Sequence, residues 1–354
     1  MHTFQTSQPP LMTSFLVQES KVFRDRPVVI LDVGARGGIG REWTVFDDQL
    51  RVYAFEADVK ECQRLAAAAP PGLSYIPRAI GRTRGKAVLY ETDPGGSSGL
   101  YKTRMDYFGR FLNRDNGVVV GERLIDVASL DEVLVEYGVS SVDFIKLDAE
   151  GAELDILQGG ESHLAGNKPL GILSEMRFHE EINGSPPFAS LDVFLRQRGF
   201  RLFDLQFYHQ SRMALPYPSA GEYRKTTGER YHAYTVRGQL QDGDALYFRD
   251  LLLPPGNAVL KAVDAIDVLK MCAFLEIFSF NDCAAELLIA CREKVDAIID
   301  TTRLLDLLAS GVAGTSTTYE AYVAQYFEEH GRSAEVAAAT ETGFGALIHR
   351  FFSR

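Results

Sequence analysis

At 354 residues, 46% of them apolar and 24% charged, the chain has the composition of an ordinary soluble globular protein longer than one small domain, and its net charge of −11 argues against nucleic acid as a main partner. Four cysteines (Cys62, Cys272, Cys283 and Cys291) form no CxxC pair and no metal-ligand spacing, so they read as buried thiols of a reducing compartment. No apolar run approaches the roughly 18 residues of a membrane span, and MHTFQTSQPP lacks the basic start and apolar core of a signal peptide, so a cytoplasmic location is expected.

In chain order, VVILDV (28–33) reads as a strand buried on both faces, running into a loop with Gly34, Gly37, Gly38 and Gly40. RVYAFEA (51–57) is a second strand, and Asp58 can cap the following helix, VKECQRLAAAA, which Pro70-Pro71 ends. LSYIPRAI (73–80) reads as a third strand, and residues 94–117 as a long loop over one end of the sheet. SLDE at 129–132 is a capping box whose helix stops near Gly138. VDFIKLD (142–148) and LGILSEM (170–176) are strands, each followed by a helix, AELDILQG and FASLDVFLRQRG. FRLFDLQFY (200–208) and DALYFRD (244–250) close the series around an insertion rich in Pro, Tyr and Arg at 208–234.

Strands alternating with helices predict an α/β fold with a doubly wound, mostly parallel sheet and an antiparallel last hairpin. After Pro254-Pro255 the texture is all-helical: Val259, Val263, Ile266 and Leu269 follow helical spacing, Asn281 can cap a second helix running towards Gly311, and TTYE (317–320) is a capping box for a third ending near Gly331. The expected organisation is an N-terminal extension (1–27), an α/β domain (28–253) and a helical C-terminal domain (254–354) that packs or forms a homo-oligomer. The end HRFFSR reads as an ordinary helix end.

From Gly34 a dinucleotide pattern G-x-G-x-x-G fails, because positions 36 and 39 are Arg and Ile, and no lysine completes a phosphate loop. D-x-G-x-x-G does fit, through Asp32, Gly34 and Gly37, and is typical of loops that bind S-adenosylmethionine. There a carboxylate helps the ligand's cation and loop N–H groups serve its carboxylate. Glu56 lies 22 positions after Gly34 at the end of the next strand, where an acid can accept both ribose hydroxyls without choosing the cofactor. Asp148, Glu150 and Glu153 crowd the carboxyl end of a central strand. Such a set suits a sulfonium and a proton but repels a pyrophosphate, which weighs against NAD.

The stretches DVGARGG…W, YAFEAD…EC.RL, DFIKLDAEGAELDIL.GG and GILSEM.F followed by PFASLDVFLRQRGFRLFDL resemble the FkbM-type methyltransferases over about residues 28–250. The K-[IL]-D-x-E-G-x-E block is the most specific part. The resemblance implies a class I, S-adenosylmethionine-dependent enzyme with a Rossmann-like, mostly parallel seven-stranded sheet, here with an all-helical C-terminal extension. It implies methylation of a hydroxyl on a sugar, glycan, polyketide or other natural product. It places Asp32, Gly34, Ala35 and Arg36 around the methionine portion, Glu56 on the ribose with Ala57 beside it, Ala79 beside the adenine and Asp148 near the transferring methyl. Arg36 is a departure, since the family usually has Asn there. Its guanidinium either grips the donor's carboxylate or turns to solvent.

An alcohol acceptor must lose a proton, and Asp148, Glu150, Glu175 and His179 are the candidate bases. A divalent cation on these groups is the alternative, although no pattern of outer ligands supports it. His163, His209 and His232 read as structural. The loops 94–111 and 208–234 flank the expected acceptor side with Tyr, Arg and Ser residues able to stack on and hydrogen-bond a sugar. The competing readings are a non-catalytic donor-binding scaffold that recruits a partner through the helical tail, a NAD-linked oxidoreductase, and N-methylation of an amino sugar.

Overall fold

The computed structural model describes residues 9–93, 95–165, 169–224, 228, 230–253 and 260–330. Pro254-Pro255, Val259, Gly331 and the HRFFSR end therefore lie outside the described residues. Twelve strands occur among them: β1 (Val28–Val33), β2 (Leu50–Phe55), β3 (Leu73–Ile76), β4 (Ala79–Gly81), β5 (Gly85–Thr92), β6 (Val119–Ser129), β7 (Phe144–Leu147), β8 (Gly171–Arg177), β9 (Phe200–Gln210), β10 (Glu222–Arg224), β11 (Arg230–His232) and β12 (Gln239–Arg249).

Seven of them form one sheet in the order β3-β2-β1-β7-β8-β12-β9. β2 with β3, β1 with β7 and β7 with β8 run parallel, whereas β12 is antiparallel to both β8 and β9. This is the doubly wound, mostly parallel sheet expected, with its antiparallel closing strand. Continuous apolar strands are what such a sheet needs, because helices cover both faces. Leu31, Val33, Ile145, Leu147 and Ile172 pack with Leu154, Ile156, Leu157 and Leu195 of the crossover helices in one buried cluster. From β1 the chain moves outward to β2 on one side, while β7 lies on the other. The crevice at the carboxyl ends of β1 and β7 is thus the topological switch point, where open α/β sheets bind ligands.

Local signals explain most boundaries. Asp58 accepts from the N–H groups of Lys60 and Glu61 and starts the helix Val59–Ala66. Ser129 and Glu132 form the expected capping box, and the helix Leu130–Glu136 stops before Gly138 at φ +66°. Two expectations need correction. The third strand breaks at Pro77: β3 pairs with β2, but β4 leaves for a second, three-stranded sheet of order β4-β6-β5. Proline has no N–H for a ladder, so the break falls where the backbone changes partner. The hairpin-like pair β5 and β6 was not expected, and residues 95–117 are no free loop. Arg104 N donates to Glu181 O at 2.8 Å and Leu112 N to Ser211 O at 2.9 Å, which stitches this segment to its neighbours.

The described residues divide into two compact units. One comprises Val29–Ile39 and Arg51–Arg249; the other comprises the described parts of Thr3–Val28, Gly40–Leu50 and Asp250–Arg354. Within the second, Trp43 and Phe46 meet Phe274 edge-on at centroid distances of 6.2 and 5.9 Å. The helix Ala265–Ile277 is buried nearly all round, and its Glu276 carboxylate accepts the N–H groups of Met12 and Thr13. The second expected tail helix is three pieces, Asn281–Ala290, Arg292–Val295 and Thr301–Ala313, and Asn281 makes no side-chain cap. In the third, the cap is Thr318, one residue later than the capping box predicted. No helix among the described residues is long and apolar enough to cross a membrane.

Candidate active site

β1 ends in a turn that only glycine allows. Gly34 has φ +84°, and a Cβ there would stand 1.8 Å from the Asp148 carbonyl oxygen. The N–H groups of Gly34 and Ala35 donate to Phe55 O, that of Gly38 to Ala35 O and that of Gly37 to Glu61 Oε1. These four loop N–H groups are therefore used inside the protein. Arg36 reaches a protein partner: its Nη2 lies 2.8 Å from Asp58 Oδ2, with both side chains about one-third exposed. Gly95 packs directly on that guanidinium, since a Cβ there would be 2.9 Å from Cζ.

Glu56 follows β2 and is 7% exposed. Its Oε1 accepts the Asp58 N–H at 2.7 Å. Burial raises its pKa, against the pull of that N–H and of Arg36. Ala57 comes next and is half-buried. Ala79 is buried at the start of β4, opposite Val127.

A lysine to which the sequence assigned no role joins the two sides of the crevice. Lys146 is in register with Asp32 across β1 and β7. Its Nζ is 3.3 Å from Asp32 Oδ1, 3.2 Å from Asp148 Oδ2 and 3.3 Å from Gly34 O. Asp32 is 1% exposed; burial raises its pKa and Lys146 opposes the shift. Burial works against the Lys146 charge, but Asp148 and Asp32 outweigh it and the ammonium is held above its usual range.

After β7 the chain turns through Glu150 at φ +54° and Gly151 at φ +97°. Glu153 Oε1 accepts the N–H groups of Ala149 and Gly151, at 2.8 and 3.2 Å, so this carboxylate orders the turn. The turn delivers Glu150 to Arg177, an 8% exposed guanidinium near the end of β8. Arg177 also meets Glu175 and Glu181 at 3.0 Å each and Asp242 of β12 at 3.8 Å. Burial pushes the pKa of all four carboxyl groups up, Glu175 well above its ordinary value, while Arg177 opposes each shift. Asp244, opposite Glu175 in register, accepts the Tyr208 hydroxyl at 3.1 Å and is raised by burial to about 7.

Of the four candidate bases, Asp148, Glu150 and Glu175 converge, each offering an oxygen within 4.8 Å of the others. Oxygen-coordinated cations accept such spacing, but Lys146 already faces Asp148, and Arg177 faces Glu150 and Glu175. His179 does not join them: its Nε2 lies 2.8 Å from Leu240 O. His163 pairs with Asp131 away from this cluster. Lys146, Arg177, Glu181, Asp242 and Asp244 were not singled out from the sequence. The period of two in K-L-D and E-M-R was the available signal, since it puts Lys146 beside Asp148 and Glu175 beside Arg177 on one strand face.

Residues 32–202 match the methyltransferase FkbM domain, a span that holds Asp32, the glycine loop, Glu56, Lys146 to Glu153 and Glu175 to Glu181. This part of the chain belongs to the FkbM methyltransferase family. Among solved structures, a Burkholderia thailandensis 1,6-didemethyltoxoflavin-N1-methyltransferase, bound to 1,6-didemethyltoxoflavin and S-adenosylhomocysteine, is 13% identical, with 69% of this chain and 80% of that chain covered and a TM-score of 0.26. A putative RNA methyltransferase of Pyrococcus horikoshii is 12% identical, covering 69% and 87%, with a TM-score of 0.26. A putative tRNA (m1A22) methyltransferase of Streptococcus pneumoniae is 13% identical, covering 81% and 95%, with a TM-score of 0.27. No curated protein matches the chain. The class I fold of the FkbM methyltransferase domain rests on its own strand order and register.

Proposed function

We propose that the protein transfers a methyl group from S-adenosylmethionine to a hydroxyl of a sugar, glycan or glycosylated natural product. The observation that carries this reading is the convergence, at the switch point of an FkbM domain, of a glycine-only turn, a buried strand-end carboxylate and a carboxylate cluster. The residues present fit the donor. Gly34 leaves no side chain between the two loops, Glu56 offers a buried carboxylate suited to ribose hydroxyls, and Asp32 with Asp148 brings negative charge suited to a sulfonium. A pyrophosphate in the same place would meet carboxylates instead of free backbone donors.

Bound there, the donor supplies an already activated methyl group, so the protein's work is alignment, exclusion of water and removal of one proton. Glu175 is suited to take the acceptor's proton on its carboxylate, because burial favours its protonated form and so makes the carboxylate a stronger base than an exposed one. Arg177 holds Glu150 and Glu175 in place and offsets the charge that ionisation of Glu175 creates. Tyr107, half-buried beside His179, offers an aromatic face of the kind that sugars pack on, and the fully buried Phe111 supports the Arg212 guanidinium at 3.8 Å from its centroid.

Calorimetry with S-adenosylhomocysteine, followed by mass spectrometry of donor, protein and pooled glycans or lipid-linked sugars, tests this. Binding and a mass gain of one methyl on a sugar are the expected results. Absence of binding overturns the reading, and binding without turnover of any pool favours the scaffold.

A further inference from the structure

We propose that Lys146 is a positioning residue, whose ammonium locks the turn after β7 to the glycine loop after β1 and so fixes Asp148 and the Gly34 backbone as one unit. This rests on the donor-binding reading above. Lys146 Nζ donates to Asp148 Oδ2 at 3.2 Å and to Gly34 O at 3.3 Å, and forms an ion pair with Asp32 Oδ1 at 3.3 Å. The three belong to different parts of the crevice. Asp32 lies inside β1, Gly34 O in the loop beyond it, and Asp148 at the start of the opposite turn. Its ammonium is directed at these three groups of the protein, so Lys146 acts through its neighbours.

Asp32 is almost fully buried and anchors the cation. Asp148 is 44% exposed in its side chain and has the most rotamer freedom to lose. Backbone contacts run the same way, since Asp148 N donates to Val33 O at 3.0 Å and Gly34 abuts Asp148 O. The ammonium thus adds a side-chain tie to a backbone tie. It also separates two carboxylates that would otherwise repel across the sheet.

Removing Lys146 alone strands Asp32, so the informative variant neutralises both, Asp32→Asn with Lys146→Met. Replacing a buried ion pair by a neutral pair of similar size is often tolerated. Calorimetry with S-adenosylhomocysteine is compared for the wild type, Asp32→Asn, this double variant, Asp148→Ala and the triple variant, each beside a thermal melt. The expected result is a cooperative melt with affinity about ten- to a hundredfold below that of Asp32→Asn alone, the control for the charge that Asp32 itself offers the donor. Once Asp148 is gone the further loss should shrink, because residues that act as a unit are not additive. Affinity in the double variant equal to that of Asp32→Asn, fully additive losses in the triple, or loss of the cooperative melt each overturns the positioning role. If the wild type itself fails to bind, the donor reading fails and this role with it, an outcome distinct from the other three.

Discussion

Gly34 presses so closely on the Asp148 backbone that a Cβ at position 34 would lie 1.8 Å from that carbonyl oxygen. The loops on the two sides of the switch point therefore touch through backbone alone, and φ +84° at Gly34 adds a conformation that other residues rarely adopt. Gly34→Ala must push the loops apart or distort the turn. It is expected to cost about 3 kcal/mol or more and to abolish S-adenosylhomocysteine binding, read by denaturant unfolding and calorimetry. Near-wild-type values for both would refute the contact.

Glu56 and Glu175 end different strands and should fail differently. Glu56→Ala removes a buried carboxylate on the donor side and is expected to weaken donor binding about tenfold or more, in line with losing charge-assisted hydrogen bonds. Glu175→Ala relieves crowding around Arg177, so affinity should stay within about threefold while transfer slows by about a hundredfold or more. Equal loss of binding in both variants would contradict this division.

Arg36 and Asp58, 2.8 Å apart and one-third exposed, form a pair of the kind that stabilises little. Asp58 also caps a helix, and Asn preserves that cap. Asp58→Asn is therefore expected to cost less than about 1 kcal/mol. It also frees the guanidinium for the ligand's carboxylate, so S-adenosylhomocysteine should bind severalfold tighter. Unchanged or weaker binding would assign Arg36 to holding the loop against Asp58.

The sheet was legible because buried parallel strands write continuous apolar runs, and Asp58 and Ser129 mark helix starts by their own chemistry. β6 was not legible. It alternates exposed Val120, Glu122 and Leu124 with half-buried partners, and its register with β5 is a long-range fact. At the site, Asp148, Glu150 and Glu175 could be found because each sits at or just beyond a strand's carboxyl end. Beyond its spacing from Glu175, Arg177 carries no local signal of its role, because its partners Glu181 and Asp242 come from a later turn and from β12. His179 had the right chemistry and the wrong neighbour, and no local pattern announces a contact with Leu240 O.

Asp244 titrates at a cost that its asparagine variant avoids. Its carboxyl is 9% exposed and raised by burial to about 7 from an unfolded value near 3.8. The folded state therefore holds a proton that the unfolded chain gives up, and this contribution to stability is lost as pH rises from about 4 to about 7. Asp244→Asn keeps an acceptor for the Tyr208 hydroxyl and carries no charge. Thermal melts from pH 5 to 8 should show the variant gaining on the wild type as pH rises, by on the order of 1 kcal/mol per unit, and levelling above about pH 7. A pH-independent difference would mean that Asp244 is solvated when ionised.

Arg177 predicts the opposite slope. One guanidinium faces Glu150, Glu175, Glu181 and Asp242, and it holds their pKa values below what burial alone would impose. In Arg177→Met those values rise further, so the folded state binds protons more tightly relative to the unfolded chain. Stability then falls more steeply with pH than in the wild type. The variant should melt close to the wild type near pH 5, where the carboxyl groups are protonated, and lose about 3–5 kcal/mol by pH 8, the usual cost of stranding buried charges. Adding Glu181→Gln and Asp242→Asn, whose carboxyl groups are raised only to about 7 and about 6 and so carry charge at pH 8, should restore most of that loss. Restoration identifies charge repulsion as the cause, whereas an equally unstable triple variant would trace it to the packing of the Arg177 side chain.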